Sequence, residues 1–414
     1  MRFDHASDVT LFDSESLLHP TIIMVMAQTG NKSRARAPRA ALRGTRNLTL
    51  KDTAIDLANS NATGLPSLPI ELLFEITDYF AKVLPTTPAE ELYTYPSPRT
   101  HLDRRDVLVA LSQTCRAMRE NTLPILWRDI QAFASTTSIS TKSWRVRRRE
   151  WRRAVSKELD RQCFAIFRAP NIAPYVETVT VALTDFATDG LPLFAHVLSL
   201  LPNLKTLHIV HLAYDCYNLL NVFDKLRLPT VKTMVLPVVP LSAGALLKSC
   251  PNVEHFVCNT QSDAAHSRRM DSSFLVLVRD SWPRLRSLRG FPIAEADEMA
   301  SLLARCTQLE HLWIRIENTT DLVSDPQDQT LRYPTIISHL RGAHFLRSVR
   351  IDFRSTSVDV ILATLTAVKP MLSGPLLLRE PRLDVYLPPI LLEDAITRIR
   401  AVLPPDSRAQ VTTP

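Results

Sequence analysis

Eight side chains in the second half of the chain have the types and spacing of a patch that binds a protein substrate: His208, His255, Arg289, His311, Trp313, Arg315, Arg350 and Asp352, with Arg289, Arg315 and Arg350 suited to a phosphorylated ligand. Arginine offers a fork of donors to anions, and tryptophan flanked by arginine is the composition of a protein-binding hot spot. Catalysis is a poorer fit. His208 and His211 form an HxxH pair, but a regular strand places residues three apart on opposite faces. The chain has no HExxH, no GxSxG, no CxxC and neither glycine-rich phosphate loop, with only 8 glycines in 414 residues. The six cysteines, at 115, 163, 216, 250, 258 and 306, lack zinc-ligand spacing and stand mostly in apolar runs, as reduced thiols do. No catalytic residue, metal site or cofactor is expected.

The elements that position these residues repeat. A phrase of the form apolar-x-x-apolar-x-apolar begins at Val176, Leu204, Val231, Val253, Leu285, Leu309 and Leu346. Pro174, Pro202, Pro229, Pro251 and Pro283 each stand two residues before such a start, where proline stops a helix and turns the chain into a strand. Cys250 and Cys306 share the slot just before that corner. Helix-like stretches at 191–200, 241–249, 294–305 and 358–367 separate the phrases. This alternation resembles a leucine-rich-repeat solenoid, in which stacked units share one core. The intervals run from 22 to 37 residues, no asparagine ladder is visible, and Gly290 falls where an apolar anchor belongs. An uneven solenoid is therefore expected, with an ordinary α/β domain on a parallel sheet as the alternative. In either, the third, fifth and seventh phrase positions face away from the core, which selects the eight residues above.

Leu68, Leu72, Leu73, Ile76 and Phe80 recur at helical spacing, with Pro69 in the first turn and Glu71 and Glu75 at the favoured end of the dipole. A second apolar face follows at Val107, Leu108, Leu111, Cys115 and Met118, in a proline-free interval, 106–120, that permits one uninterrupted helix. Pro124 then closes it, and Leu126-Trp127 ends a short third helix. The runs LPIELLFEI and LVALSQTCRAMRENTLPILW resemble the F-box, in the form seen in fungal proteins. A proline-bearing insert, residues 82–105, separates the first two helices and reads as a loop.

The resemblance implies an all-α F-box at 65–132 joined to the repeats at 171–385, the arrangement of substrate receptors of cullin-based ubiquitin ligases. It implies an adaptor subunit and a cullin as partners, a protein substrate on the repeats, and no chemistry on this chain. Helix-in-groove docking needs apolar anchors. Leu68, Pro69, Leu72, Leu73, Ile76, Leu108, Leu111, Leu126 and Trp127 are the candidates. A scaffold without a ligase role is the alternative.

The net charge of +7 is uneven. Residues 1–64, with Lys32, Arg34, Arg36, Arg39, Arg43 and Arg46 and few apolar anchors, read as a disordered basic tail. Residues 133–170, with the run Trp144–Arg153, read as a basic helical linker, and 386–414 as a terminal helix and tail. Both basic tracts read as solvated charge rather than a nucleic-acid surface. No apolar run reaches the roughly 18 residues of a membrane span. The reduced thiols point to an intracellular compartment, so a cytoplasmic or nuclear protein is expected.

Overall fold

The computed structural model describes residues 69–80, 100–133, 144–213, 220–237, 244–258, 278, 280–292, 296–317, 338–343, 345–354, 358–372, 382–386, 393–402 and 410–412, all within the unit Asn61–Pro414. The expected tail at 1–64 and most of the insert lie outside them. The helices are α1 (Ile70–Asp78), α2 (Thr100–Ser112), α3 (Arg116–Arg128), α4 (Trp144–Arg168), α5 (Leu191–Ser199), α6 (Gly244–Ser249), α7 (Ala296–Arg305), α8 (Val358–Leu372) and α9 (Glu393–Val402). The strands are β1 (Asp129–Ala132), β2 (Thr178–Leu183), β3 (Thr206–Leu212), β4 (Thr233–Leu236), β5 (His255–Cys258), β6 (Ser287–Pro292), β7 (His311–Glu317), β8 (Ser348–Arg354), β9 (Arg382–Tyr386) and β10 (Gln410–Thr412). They form one open, all-parallel sheet in sequence order, each strand adding to the edge left by the one before.

Each of the seven phrases forms a strand that begins two residues after its first anchor. Those first anchors are buried, as are the second anchors from Val179 to Val349. The amides of Val176, Val231, Leu285, Leu309 and Leu346 each donate to the carbonyl three residues earlier, at 3.1–3.3 Å. That is a β-turn, and Pro174, Pro229 and Pro283 occupy its second position, where a fixed φ is an asset. The turn's first residue is a further anchor: Ala173, Leu201, Leu228, Cys250, Trp282, Cys306 and Ala343 are all buried.

One register holds at every corner. The amide after each first anchor donates to its counterpart's carbonyl one unit back: Glu177 to Arg128, Lys205 to Glu177, Lys232 to Lys205, Glu254 to Lys232, Arg286 to Glu254, Glu310 to Arg286 and Arg347 to Glu310, all at 2.7–2.9 Å. The unequal intervals therefore fall between strands and leave the stacking untouched. Side chains of the same row pair across units, Lys205 with Glu177 at 3.0 Å and Lys232 with Glu254 at 2.7 Å. A partial asparagine pairing exists after all. Asn203 and Asn252 donate to the carbonyls of Pro174 and Pro229, the corners one unit back, at 2.7 and 3.0 Å.

Gly290 does not leave the anchor empty. Leu288 pairs with Leu312 and Phe291 with Ile314, so β6 carries one extra residue. Gly290 takes φ +70° in that bulge, and buried Phe291 fills the third-anchor place. A Cβ on Gly290 would lie 2.2 Å from the Cys258 carbonyl oxygen.

Three strands lie beyond the phrases. β1 pairs Asp129 with Thr178, so Trp127, Ile130 and Ala132 are its anchors. Residue 132 is thus no domain boundary, because the front helices run straight into the sheet. β9 has Glu380 two residues before it, where the phrase demands an apolar side chain. β10 lies in the segment expected to be a tail.

Residues 144–168 form the expected helix with a solvated basic side, but it is more than a linker, because its other side is packed. Trp151, Val155, Leu159, Cys163 and Ile166 recur along one face of α4 and are buried. Gln162 donates to the Gln131 carbonyl at 2.9 Å and the Trp151 indole to the Phe133 carbonyl at 3.2 Å, so α4 supplies partners to β1 and the residue after it. Arg152 reaches Asp185 at 3.5 Å, and the Arg153 guanidinium lies over the Phe186 ring.

The front helices have their own small core of Leu73, Leu108, Met118 and Ile125, with Leu111, Cys115 and Leu126 packed against it. Thr100–Arg105, expected in the insert, are the first turns of α2. The interval 106–120 is two helices. Cys115 is extended and its thiol accepts the Met118 amide at 3.5 Å, which caps α3 and breaks the run. Pro124 sits inside α3 rather than closing it. Arg104 ties this part to the sheet. It donates to the Thr77 carbonyl at 3.1 Å and to Asp129 of β1 at 3.0 Å.

Candidate binding site

Strand side chains alternate, so the sheet presents a second face opposite the anchors. Over β2–β5 much of that face is closed: Thr180, Ala182, His208, Val210, Val235 and Val257 are buried. His208 is therefore no ligand contact. Burial without compensation pushes its imidazole down to about 3, so it is neutral at pH 7. His211 needs a correction of another kind. Val181 pairs with Ile209 and Ala182 with His211, so Val210 is a bulge that returns His211 to the face of His208. There it meets the Trp151 ring edge-on at 5.8 Å.

The face opens toward β6–β8. His255, Arg289, His311, Trp313 and Arg350 are half-buried and share it. Arg289 Nε donates to Ser287 at 3.0 Å, and His311 Nδ1 and the Ser348 hydroxyl lie 2.7 Å apart. Trp313 and Arg350 stand opposite each other, with the guanidinium 3.7 Å above the ring centre. Burial first, then the Arg289 charge, lowers the His311 imidazole. His255 is also lowered by burial, with Glu254 opposing and Arg289 and His311 adding to the fall. These groups make a strip rich in donors with one broad aromatic surface, suited to an anionic, extended ligand. Arg315 and Asp352, expected beside them, are 2% and 8% exposed and face each other at 3.9 Å. They continue the same face along β7 and β8, where it is closed.

Among the described residues, no group of three or more His, Cys, Asp or Glu could hold a metal ion. Burial raises the thiols of Cys163 and Cys250 to about 12 and that of Cys306 to about 11, so they are poor nucleophiles.

The helical candidates divide. Pro69 is exposed, Leu72 and Ile76 are each 42% exposed, and Tyr79 is 90% exposed. Leu72, Ile76 and Tyr79 form one row at i, i+4 and i+7. Leu73 and Leu108 are sealed in the core, and Leu111 and Leu126 lean on it, so none of the four is a free anchor. Trp127 packs under the sheet as the first anchor of β1. Leu68 lies outside the described residues. Sequence reasoning missed Tyr79 and Phe74, the latter 38% exposed. The heptad step from Leu72 to Tyr79 was the available signal for the first.

No helix among the described residues is long and apolar enough to cross a membrane. No family model matches the chain, and no curated protein matches it either.

Proposed function

We propose that the protein is a non-catalytic substrate receptor of a cullin-based ubiquitin ligase, an F-box unit carrying an uneven leucine-rich-repeat solenoid. The observation that carries the reading is the row Leu72, Ile76 and Tyr79, left exposed along α1 and its C-cap although the helix has a core of its own. Monomeric surfaces seldom leave such a row open without a partner. The adaptor would take this row as a helix in a groove. A strand order that never reverses, with identical corners at unequal intervals, supports the solenoid. The strip at Arg289, Trp313 and Arg350 would hold the substrate. The receptor then works by raising the local concentration of substrate near the ligase.

The test is affinity capture of the tagged full chain from its native cells. Capture should recover an adaptor and a cullin. The Leu72→Asp/Ile76→Asp variant should lose both while keeping its melting temperature. Equal recovery by the variant, or no adaptor with the wild-type chain, refutes the assignment.

A second reading has its own support. α1–α3 share Arg104 and β1 with the sheet, as a cap of a repeat array would. In that reading, the protein is an interaction scaffold, and capture recovers partners of the strip with no adaptor among them.

A further inference from the structure

The outward strip of α4 answers α1 in both charge and shape. Arg149, Arg153, Lys157, Phe164 and Arg168 fall on one side of the helix, with Arg161 and Phe167 at its margins. Phe164 and Phe167 are 50% and 51% exposed on a helix whose opposite face is buried. The Phe167 ring meets His196 edge-on at 5.8 Å, which fixes its outward position. Asp160 and Glu150, both half-buried, are the acids within the strip, and Arg161 is shared with Glu158. The balance is basic, with a two-phenylalanine anchor. The exposed side of α1 is the reverse: Leu72, Ile76 and Tyr79 are flanked by Glu71 and Glu75.

We infer that the α4 strip is a docking surface for α1 of a second copy of this chain. Phe164 and Phe167 would meet Leu72 and Ile76, with Lys157 and Arg161 opposite Glu71 and Glu75. A two-fold dimer makes this contact twice and closes the assembly. The inference goes beyond the receptor reading and constrains it, since the same α1 row would serve either a second copy or the adaptor. Self-association would then store the receptor with its docking row covered.

Sedimentation velocity on the full chain, from about 1 to about 100 μM, tests it. A concentration-dependent dimer is expected. Phe164→Glu/Phe167→Glu should raise its dissociation constant at least about tenfold, a range hot-spot truncations commonly reach. Charge reversal guards against a merely misfolded variant. Lys157→Glu/Arg161→Glu alone and Glu71→Lys/Glu75→Lys alone should each be monomeric, and an equimolar mixture should dimerise again, because only the mixed pair is complementary at both contacts. A wild-type monomer throughout, a dimer indifferent to both sets, or a mixture that fails to reassociate overturns the inference. So does a monomer that binds a synthetic 69–80 peptide through Phe164, which would make the occupant a foreign acidic helix. The Phe164→Glu/Phe167→Glu variant should keep full adaptor capture. Loss of the dimer with capture intact leaves the receptor reading standing, and a dimer without capture does the opposite.

Discussion

The Arg350 guanidinium lies 3.7 Å above the centre of the Trp313 ring, and the two residues are opposite partners on β8 and β7. One strand below the stack, the β6 bulge shapes the sheet. One layer beyond it, Arg315 and Asp352 form the next cross-strand pair. The accessible strip therefore runs along β7 and β8 into a buried charged pair on the same face, rather than being a set of loose surface side chains.

A half-buried cation over an indole is worth about 1 kcal/mol, rising to about 2 when desolvated. A double-mutant cycle of Trp313→Ala and Arg350→Ala, followed by urea unfolding, should return a coupling of that size. Additive losses would mean that the stack is geometry without energy.

Gly290 should resist every substitution. Alanine there must hold φ near +70°, a strain of about 1–3 kcal/mol. It must also displace the Cys258 carbonyl, whose oxygen would be 2.2 Å away. Gly290→Ala should lower stability by at least about 2 kcal/mol and broaden the amide signals of β5–β7. An unchanged urea midpoint would show that the bulge is not needed to seat Phe291.

The same bulge shows where the sequence was legible. Seven strands could be read because apolar anchors recur at fixed spacing, five times behind a proline, a purely local signal. β9 was hidden because its first slot holds Glu380, and β1 because Trp127, Ile130 and Ala132 were absorbed into the helical resemblance. Both bulges escaped a fixed period of two, which is why His211 seemed to face away from His208. Burial of the second face was not readable either. Whether Thr180, His208 and Val257 are covered depends on neighbours far along the chain, and period alone separates two faces without saying which is wet. The α1 stripe failed for a related reason. A short helix against a small core buries about one residue per turn, so Leu73 goes in and Leu72 stays out.

Acid should weaken the fold before carboxylates protonate. The His208 imidazole falls from 6.5 to about 3 on folding, through burial. The neutral form is thus the folded one. Stability is complete above about pH 6.5 and declines toward pH 3, by about 1.4 kcal/mol per pH unit for this one group. His255 and His311 shift the same way. Burial tends to raise the Glu158 carboxyl, but Arg161 and Arg105 hold it below its usual 4.5, so its loss comes later. Urea midpoints between pH 6.5 and 5 should fall in the wild type and fall less in His208→Val, which matches Val235 in the same row. Parallel slopes in the two proteins would remove His208 as the cause.

Arg104 decides whether the front helices and the sheet are one body. Its side chain is 9% exposed and joins the end of α1, through the Thr77 carbonyl, to Asp129 at the start of β1. Asp78 stands at 3.9 Å, more exposed and a weaker partner. Removing a buried charge partner leaves the other group desolvated and unpaired, at about 3–5 kcal/mol for full burial. Asp129 retains some solvent, so Arg104→Met should cost about 2–3 kcal/mol. The location of the loss is more informative than its size. If Arg104 fastens α1 to the sheet, hydrogen exchange should quicken in 70–78 and 129–132 together, with the corners from Glu254 to Arg347 unmoved. Faster exchange in α1 alone would make the front helices a separable module, in which case the docking row could swing independently of the strip. The proposed receptor reading, in which cargo is presented at a set position, needs the first outcome.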